Sequence, residues 1–209
     1  MELEEQIKQA LEELRKGEQR KFDQTADLII NLQKFDAKKN QISIFVQVPH
    51  KVKDKKICAF FETQNGKVET ITPEQFKNYS DKKSLKKLVS GFDFFIAQAS
   101  VMPKVATAFG RALGPAGKMP SPQFGILMDV NDRTIEEVKK KINNNVKIRI
   151  KEASIKLAIG KQSMKGEEIV ENVMAVYNAV MKDLPKGKEN IKNLEIKFTM
   201  TKPQKIKIR

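Results

Sequence analysis

The sequence predicts a mixed fold: the two chain ends are α+β in character, and the middle of the chain forms a small three-layer α/β domain. Near the chain ends, apolar and polar residues alternate, as in strands with one buried face. In the middle, continuous apolar runs alternate with helical stretches, which is typical of parallel strands covered on both faces. These changes of pattern place an α/β domain at 52–145, between the α+β segments 1–51 and 146–209.

The N-terminal segment predicts an amphipathic helix followed by a half-buried strand. The helix has an apolar face formed by Leu3, Ile7, Leu11 and Leu14. Gly17 suits the C-terminus of this helix. After "ADLIINLQ", the stretch "QISIFVQVPH" has an apolar residue at every second position from Ile42 to Val48, which predicts a strand with one face in the core. The charged run "KVKDKK" then ends this pattern.

The middle of the chain contains three continuous apolar runs that predict buried strands, "ICAFFET", "FDFFIAQA" and "FGILMDV". A helix is predicted after Thr72, where Pro73 and Gln75 complete a capping-box pattern, and another from Ser80. Two more are predicted in "VMPKVATAFGRAL" and "DRTIEEVKKKI". Short connections between alternating strands and helices imply right-handed crossovers, and hence a sheet with helices on both sides.

The C-terminal segment returns to alternation. Strands are predicted in "VKIRIKE" and "SIKLAIGK", and the clearest helix is "EEIVENVMAVYNAVMKDL". The apolar face of this helix holds Ile169, Val173, Tyr177 and Val180. A last strand, "NLEIKFTM", is predicted to place on one side Leu194, Ile196, Phe198 and Met200. The basic tail "TKPQKIKIR" follows.

The charge balance predicts a polyanionic partner. The chain carries 40 Lys and Arg against 26 Asp and Glu, a net charge of +14, together with 40% hydrophobic residues, which indicates a folded basic protein. Nucleic acid is the first candidate, because Lys and Arg neutralise phosphates, whereas a membrane surface would require a basic helix with a large apolar face. The acidic N-terminus is unlike a signal peptide, and no apolar stretch approaches the ~18 residues of a membrane span. We therefore expect no membrane contact and a cytoplasmic location.

The sequence offers little for catalysis or metal binding. Cys58, the one cysteine, lies in an apolar run and is interpreted as a buried reduced thiol. His50, the one histidine, follows Pro49 at a predicted strand end, where a surface or domain-junction role is commoner than catalysis. No cluster of His, Cys and carboxylates has metal-ligand spacing, and no cofactor is expected. Asp129 and Asp132 flank a strand end, and Asp132 is favoured as a helix N-cap over a ligand-binding residue.

The segment 112–122, "ALGPAGKMPSP", raises the possibility of a phosphate-binding loop. A Walker A loop places Gly-Lys-Ser/Thr between a strand and the start of a helix. Here a helix is predicted to end at Gly114, no Ser or Thr follows Lys118, and prolines remove backbone donors. We therefore interpret the segment as a rigid turn. A nucleotide-binding α/β enzyme with its site near Asp129 remains the alternative function, and a protein-binding adaptor is a third.

Three short stretches combine lysine with small hydroxyl and amide side chains: "RKFDQT" at 20–25, "GKQS" at 160–163 and "TMTKPQ" at 199–204. Ser, Thr and Gln can hydrogen-bond phosphates and 2′-hydroxyl groups, and Phe22 or Met200 can offer an apolar surface to a ribose or base. All three stretches belong to the chain ends. The basic runs "DKKSLKKL" and "EEVKKKI" lie instead on predicted helices, and we interpret them as solvated faces.

Four ordered segments carry a family resemblance: "KFDQTADLIINLQKFDAKKNQISIFVQVPH", "GRALGPAGKMPSP", "AIGKQSMKGEEIVENV" and "FTMTKPQKI". They resemble the universal large-subunit ribosomal protein L-one family, in its archaeal and eukaryotic branch. The second segment is similar to the most recognisable stretch of that family, Leu-Gly-Pro-x-Gly-x-x-Pro. The resemblance spans residues from about 20 to 204.

This resemblance implies a two-domain RNA-binding protein that is not an enzyme. Residues 1–51 and 146–209 would build one discontinuous α+β domain, and 52–145 would form an inserted three-layer α/β domain. The family's discontinuous domain binds a bent helical junction of the large-subunit rRNA and forms a mobile stalk implicated in the release of deacylated tRNA from the exit site. Members in bacteria and archaea also bind a similar structure in their own mRNA and repress its translation. The implied partners are therefore the rRNA stalk, the chain's own mRNA, exit-site tRNA and other ribosomal components. The implied state is a cytoplasmic ribosomal protein, monomeric when free.

The resemblance also implies which residues contact RNA. By motif position these are Lys21, Phe22, Thr25, Lys156, Gly160, Lys161, Ser163, Thr199, Met200, Thr201 and Lys202. Thr201 departs from the family pattern, in which Gly usually follows Thr-Met, so a backbone shape that Gly permits is in question. Lys202 and Pro203 continue in the manner of the eukaryotic branch.

Overall fold

The computed structural model describes residues 3–17, 20–36, 42–150 and 152–206. Its helices are α1 (Leu3–Arg15), α2 (Lys82–Gly91), α3 (Met102–Ala116), α4 (Asp132–Asn143) and α5 (Gly166–Asp183), with short 3-10 helices at Pro73–Tyr79 and Gly187–Asn190. Its strands are β1 (Thr25–Leu32), β2 (Ile42–Gln47), β3 (Ile57–Phe60), β4 (Glu69–Ile71), β5 (Phe94–Gln98), β6 (Ile126–Leu127), β7 (Asn145–Ile150), β8 (Ser154–Lys161), β9 (Ile191–Phe198) and β10 (Gln204–Ile206). Gln41, Lys151 and 207–209, which belong to predicted strands and the basic tail, lie outside the described residues.

The backbone forms two compact units, one from 1–53 with 144–209 and the other from 54–143. The limits predicted from the sequence, 1–51 with 146–209 and 52–145, differ from these by two residues at each crossing. Both units combine helices and strands, which confirms the predicted α+β and α/β class.

The discontinuous unit is built on a four-stranded antiparallel sheet with the order β10-β9-β1-β8. Every second residue of β1 is buried and enters the same core as α1 and α5. The predicted apolar faces of these helices are confirmed by the buried side chains of Ile7, Leu11, Leu14, Ile169, Val173, Tyr177 and Val180. Alternation in the strands and helical periodicity therefore create one shared core.

A second antiparallel pair, β2 with β7, belongs to the same unit, and buried Val46 confirms the half-buried strand. Beyond β2, the His50 N–H donates to Oδ1 of the fully buried Asn172 at 2.9 Å. Asn172 Nδ2 in turn donates to the carbonyls of His50, at 3.0 Å, and Ile159, at 2.9 Å. The His50 Nε2 atom also lies 2.7 Å from Oε2 of Glu171. His50 thus fastens the segment after β2 to α5.

The unit 54–143 is built on a parallel sheet with the order β4-β3-β5-β6. Alternate residues of its central strands enter two separate cores: Phe60 and Phe95 pack with α2 and α3, whereas Ala59 and Ile96 pack with α4. The first two apolar runs, "ICAFFET" and "FDFFIAQA", therefore mark strands covered on both faces, as predicted. Burial raises the pKa of the Cys58 thiol to about 12, so this side chain stays protonated inside the core.

The segment around Lys118 is structural, and one of its predicted limits was wrong. Helix α3 continues past Gly114 to Ala116, because Pro115 lies in the last turn, where the missing N–H removes only one helical bond. Gly117 then ends the helix in a left-handed conformation, with a φ of 69°.

The ammonium of Lys118 is already engaged by the protein. Its Nζ donates to the carbonyls of Val89 and Phe92, at 2.7 Å each. These carbonyls lie at the end of α2, where helical backbone acceptors lack partners within the helix. The lysine that suggested a phosphate site therefore satisfies the end of a neighbouring helix.

Strand limits differ from the prediction in several places. Of the predicted strand "FGILMDV" only β6, Ile126–Leu127, is formed, and Met128 beyond it is 81% exposed. β9 ends at Phe198, so Met200 leaves the sheet instead of continuing its apolar side. β4 and β10 each have 3 residues and were not predicted, because so short a strand shows no measurable alternation.

Two helix starts were also placed differently. Helix α2 begins at Lys82 after Asp81, rather than at Ser80. Asp132, predicted as an N-cap, is the first residue of α4, and its Oδ1 accepts a hydrogen bond from Nδ2 of Asn65 at 3.2 Å. Its carboxylate thus ties α4 to the loop after β3.

Two kinds of feature are absent from the described ranges. None of the helices in these ranges combines the length and hydrophobicity needed to cross a membrane. They also contain no group of three or more His, Cys, Asp or Glu side chains arranged to hold a metal ion.

Candidate nucleic-acid interface

Three strand ends meet at one end of the antiparallel sheet. β1 begins at Thr25, whose register partner is Lys161, the last residue of β8. The next residue, Ala26, pairs with Phe198, the last residue of β9. The three polar stretches singled out in the sequence therefore lie side by side. We call residues 21–25, 160–163 and 199–202 the sheet-end surface.

Gln24 joins all three stretches from beneath this surface, where it is only 1% exposed. Its Oε1 accepts a hydrogen bond from the N–H of Met200 at 3.0 Å, and its Nε2 donates to Oε1 of Gln162 at 3.2 Å. The Gln162 N–H donates to the Gln24 carbonyl at 2.7 Å. Sequence reasoning did not select Gln24, because its only signal there is a polar residue just before a strand.

Asp23 organises the polar groups above Gln24 and was also missed. Its carboxylate accepts hydrogen bonds from the N–H of Ser163, at 3.0 Å, and from the Ser163 hydroxyl, at 2.8 Å. The ammonium of Lys161 lies 3.7 Å from Oδ2 of Asp23. Burial opposes ionisation, but the Ser163 hydrogen bonds and the Lys161 charge together lower the pKa of the Asp23 carboxyl. Asp23 is therefore ionised at neutral pH and orients both neighbours.

The threonines bond to the backbone at the strand ends. The Thr25 N–H donates to Oγ1 of Thr199 at 3.1 Å, and the Thr199 N–H donates to the Thr25 carbonyl at 3.1 Å. The Phe198 N–H donates to Oγ1 of Thr201 at 2.8 Å. In the described ranges, Lys34 is the one non-glycine residue with positive φ, so Thr201 needs no left-handed backbone. Here the residue in place of the family's Gly closes the turn with its own hydroxyl.

The surface also leaves two large apolar side chains in solvent. Phe22 is 52% exposed and Met200 is 60% exposed. Burying a side chain of this size in the core would contribute about 1.5–3 kcal/mol, which the protein forgoes at both positions. An aromatic ring and a flexible thioether can both pack against bases or riboses.

Lys21, Lys161 and Lys202 are exposed on the same surface, against the one carboxylate of Asp23. The surface therefore carries excess positive charge beside hydroxyl and apolar groups. This combination suits a sugar-phosphate backbone with accessible bases.

Two predicted contacts differ from the others, Lys156 in its position and Gly160 in its burial. Lys156 is exposed but lies opposite Ile29 in the middle of β8, about 16 Å from the strand end at 3.3 Å per residue. Gly160 is buried, and a Cβ there would come within 3.0 Å of Cγ1 of Ile169 and 3.3 Å of Sδ of Met164. Its visible role is to let β8 approach α5 closely, and its contact with RNA stays a prediction.

The fold and this surface together define a class: a basic, mixed α/β protein that presents a preorganised cationic and hydroxyl-rich surface to a nucleic acid. Comparison with known sequences specifies the family. A profile of the Ribosomal protein L1p/L10e family matches residues 14–202, and the chain belongs to this family.

Similar proteins come from several archaea, and each is called "Large ribosomal subunit protein uL1". The protein of Nanoarchaeum equitans is 34% identical, over 93% of this chain and 94% of its own length. That of Pyrobaculum islandicum is 32% identical, over 92% and 88%, and that of Pyrobaculum calidifontis is 34% identical, over 96% and 92%. The family resemblance noted from motifs is thereby confirmed.

Family membership makes this chain a ribosomal protein with a structural role, located on ribosomes in the cytoplasm. It is not an enzyme, so the alternative of a nucleotide-binding α/β enzyme is wrong. Ligands of α/β enzymes bind at the carboxyl ends of the strands. Here the polar groups at the ends of β3 and β5 bond to each other: Glu62 accepts a hydrogen bond from the Ser100 hydroxyl at 2.8 Å, and the Glu62 N–H donates to Oε1 of Gln98 at 3.2 Å.

Proposed function

We propose that this chain binds a folded junction of the large-subunit rRNA through the sheet-end surface and thereby forms a mobile stalk near the tRNA exit site. The observation that carries the proposal is the convergence of the three polar stretches at one end of the sheet. The family assignment supports it, because the relatives are proteins of the large ribosomal subunit. The partner is therefore an RNA, and the protein's role is to stabilise the folded rRNA junction.

The recognition chemistry follows from the side chains on the surface. Lys21, Lys161 and Lys202 neutralise phosphates. The hydroxyls of Ser163 and Thr199, whose protons are donated to Asp23 and to the Thr25 carbonyl, accept hydrogen bonds from 2′-hydroxyl groups. Phe22 and Met200 pack against unstacked bases or riboses at the junction. Such contacts read the shape of a folded RNA more than its sequence.

Preorganisation makes this surface selective. Gln24 holds the turn at Met200, and Asp23 holds Lys161 and Ser163 before RNA arrives. Binding then costs little ordering of side chains, since the geometry already exists in the free protein. A mismatched RNA fold leaves the same groups unpaired, which costs affinity.

The proposal is tested with Thr199→Ala and Met200→Ala, measured by filter binding on a stalk-junction RNA and on an unrelated hairpin of equal length. Direct contact predicts losses of about 1–3 kcal/mol on the junction. Met128→Ala is the matched control, because Met128 is 81% exposed and lies in the unit 54–143. Equal losses for Met128→Ala, or no loss for the two test variants, would contradict this location of the site.

We also propose two functions that depend on the same surface: release of deacylated tRNA from the exit site, and repression of the chain's own mRNA. Repression requires only that the mRNA fold like the rRNA junction, since the surface reads shape. A reporter carrying the native leader should fall when wild-type protein is co-expressed and recover with Met200→Ala. A reporter that stays constant with wild-type protein would exclude repression. On the ribosome the protein contacts other ribosomal components, and when free it is a monomer.

A further inference from the structure

The two helical layers of the unit 54–143 carry very different charge. Residues 73–117, which include α2 and α3, contain seven basic residues, Lys77, Lys82, Lys83, Lys86, Lys87, Lys104 and Arg111, against the acids Glu74, Asp81 and Asp93. Residues 128–143, which include α4, contain four basic residues, Arg133, Lys139, Lys140 and Lys141, and four acids, Asp129, Asp132, Glu136 and Glu137. One layer is therefore net +4 (7 − 3) and the other neutral (4 − 4).

Packing brings the basic residues of α2 and α3 onto one surface. Both helices bury their apolar sides in the same core, through Leu88 of α2 and through Val105 and Phe109 of α3. Their outward sides carry Lys82, Lys83, Lys86, Lys87, Lys104 and Arg111, all exposed. We call these six residues the α2–α3 face. From the sequence alone, the lysine run on α2 is interpreted as a solvated face, because it lies on a helix whose apolar residues face inward.

Acids balance the positive charge on α4 but not on the α2–α3 face. The α4 layer has as many acids as basic residues, and two of these acids, Glu136 and Asp132, lie 2.5 and 3.6 Å from Nζ of the neighbouring Lys67. No residue of the α2–α3 face forms an ion pair with an acid within the described part of the chain. The α4 layer therefore has no excess positive charge, whereas the positive charge of the α2–α3 face is available to an external anion.

The composition of the face distinguishes between classes of partner. Protein interfaces are depleted in lysine and rely on buried aromatic or apolar anchors. The exposed large hydrophobic residues in the described ranges are Phe22, Met128 and Met200, and none belongs to the α2–α3 face. A lysine face without an apolar anchor instead suits the phosphates of a nucleic-acid backbone, where charge neutralisation supplies the affinity.

The spacing also fits a backbone. Lys82 and Lys86, like Lys83 and Lys87, are four residues apart, which is about 6 Å along a helix. In duplex DNA, successive phosphates of one strand lie about 3.4 Å apart along the axis, and a spacing of this order in duplex RNA lets each lysine reach a different phosphate. We infer that the α2–α3 face is a second, sequence-independent contact surface for the sugar-phosphate backbone of duplex RNA, separate from the sheet-end surface.

The test uses the full chain and a mixed-sequence RNA duplex of about 20 base pairs, which lacks a junction. Lys82→Gln/Lys86→Gln is compared with Arg133→Gln/Lys140→Gln, which removes the same charge from exposed positions of α4. Affinity is measured against salt by fluorescence anisotropy. We expect the slope of log affinity against log salt to become shallower by about 1.5–2 for the α2 pair, as for the loss of two phosphate contacts. The α4 pair should change it by less than half as much.

A second measurement, acetylation of lysines read by mass spectrometry with and without the duplex, identifies the contact directly. RNA should protect Lys82, Lys83, Lys86 and Lys87 several-fold and leave Lys140 unchanged. Equal slope changes for the two pairs, or equal protection on α2 and α4, would overturn the inference. Equal protection of these lysines by polyglutamate of the same charge would also overturn it, because the partner would then be an acidic protein and not an RNA. Failure of junction selectivity at the sheet-end surface would leave these outcomes unaffected.

Discussion

Replacing Gln24 by Ala should weaken both the fold at the sheet end and the binding of RNA. Gln24 is 1% exposed and its side chain makes hydrogen bonds at 3.0 Å to the N–H of Met200 and at 3.2 Å to Oε1 of Gln162. Each lost bond costs about 0.5–1.5 kcal/mol, and partners left without one add to this, so we expect a stability loss of about 2–3 kcal/mol.

The effect on RNA follows from the geometry of the turn. Without Gln24, the Met200 N–H loses its side-chain acceptor, and the segment 199–202 must be ordered when RNA binds. We expect affinity for the junction RNA to fall about tenfold, which corresponds to about 1.4 kcal/mol. Urea denaturation measures stability, and filter binding at a temperature where the variant is fully folded measures affinity.

Gln33→Ala is the matched control. Gln33 lies just beyond the opposite end of β1, is exposed, and donates from Nε2 to the Glu189 carbonyl at 3.1 Å. Its replacement should cost no more than about 0.5 kcal/mol of stability, and junction affinity should stay at the wild-type value. If Gln24→Ala binds the junction as tightly as Gln33→Ala does, the idea that Gln24 preorganises the surface is wrong.

Three further predictions concern the fold and its pH dependence. Gly125→Ala should lower the stability of the fold by about 1–3 kcal/mol in thermal unfolding, because the new Cβ would lie 2.7 Å from the backbone N of Ser121. The control Gly110→Ala should be neutral or stabilising, because Gly110 lies in helix α3 with open space around it. Asn172→Ala should cost about 3 kcal/mol in urea unfolding, since this fully buried side chain makes three hydrogen bonds; a cost below about 1 kcal/mol would refute this. Asp23 has a pKa lowered from 3.8 in the folded state, so its ionised form stabilises the fold at neutral pH, and this contribution is lost as pH falls through the folded pKa. The stability difference between wild type and Asp23→Ala should therefore shrink below about pH 4, and a difference that is constant from pH 7 to pH 3 would contradict it.

Periodicity predicted the long elements because burial and spacing agree there. The apolar faces of α1 and α5 and the alternation in β2 each extend over several turns or pairs, so the core has many residues to specify it. β4 and β10 are too short to show such a pattern. Met200 continues the apolar alternation of β9 in the sequence, but the strand itself ends two residues earlier, at Phe198. The alternation of apolar residues along the chain does not show where hydrogen-bonded pairing between two strands ends.

The residue types at the candidate site could be predicted from the sequence, but the hydrogen bonds that position them could not. Lys21, Phe22 and Thr199 stand out as basic, aromatic or hydroxyl residues in polar stretches, and family motifs point to the same positions. The roles of Gln24 and Asp23 depend on the register that sets Thr25 opposite Lys161, a contact between residues more than a hundred positions apart. Nothing in the local sequence encodes that pairing, so buried positioning residues appear only once the strands are assembled.

The central claim is that the sheet-end surface recognises a folded rRNA junction by shape. Its most direct test is a competition measurement at physiological salt, in which wild-type protein bound to labelled stalk-junction RNA is challenged with unlabelled junction RNA or with an unrelated hairpin of equal length. The account predicts that the hairpin competes at least about tenfold more weakly, a difference of ~1.4 kcal/mol or more. Equal competition by the two RNAs would contradict it, because general attraction between a chain of net charge +14 and any RNA would then explain the binding.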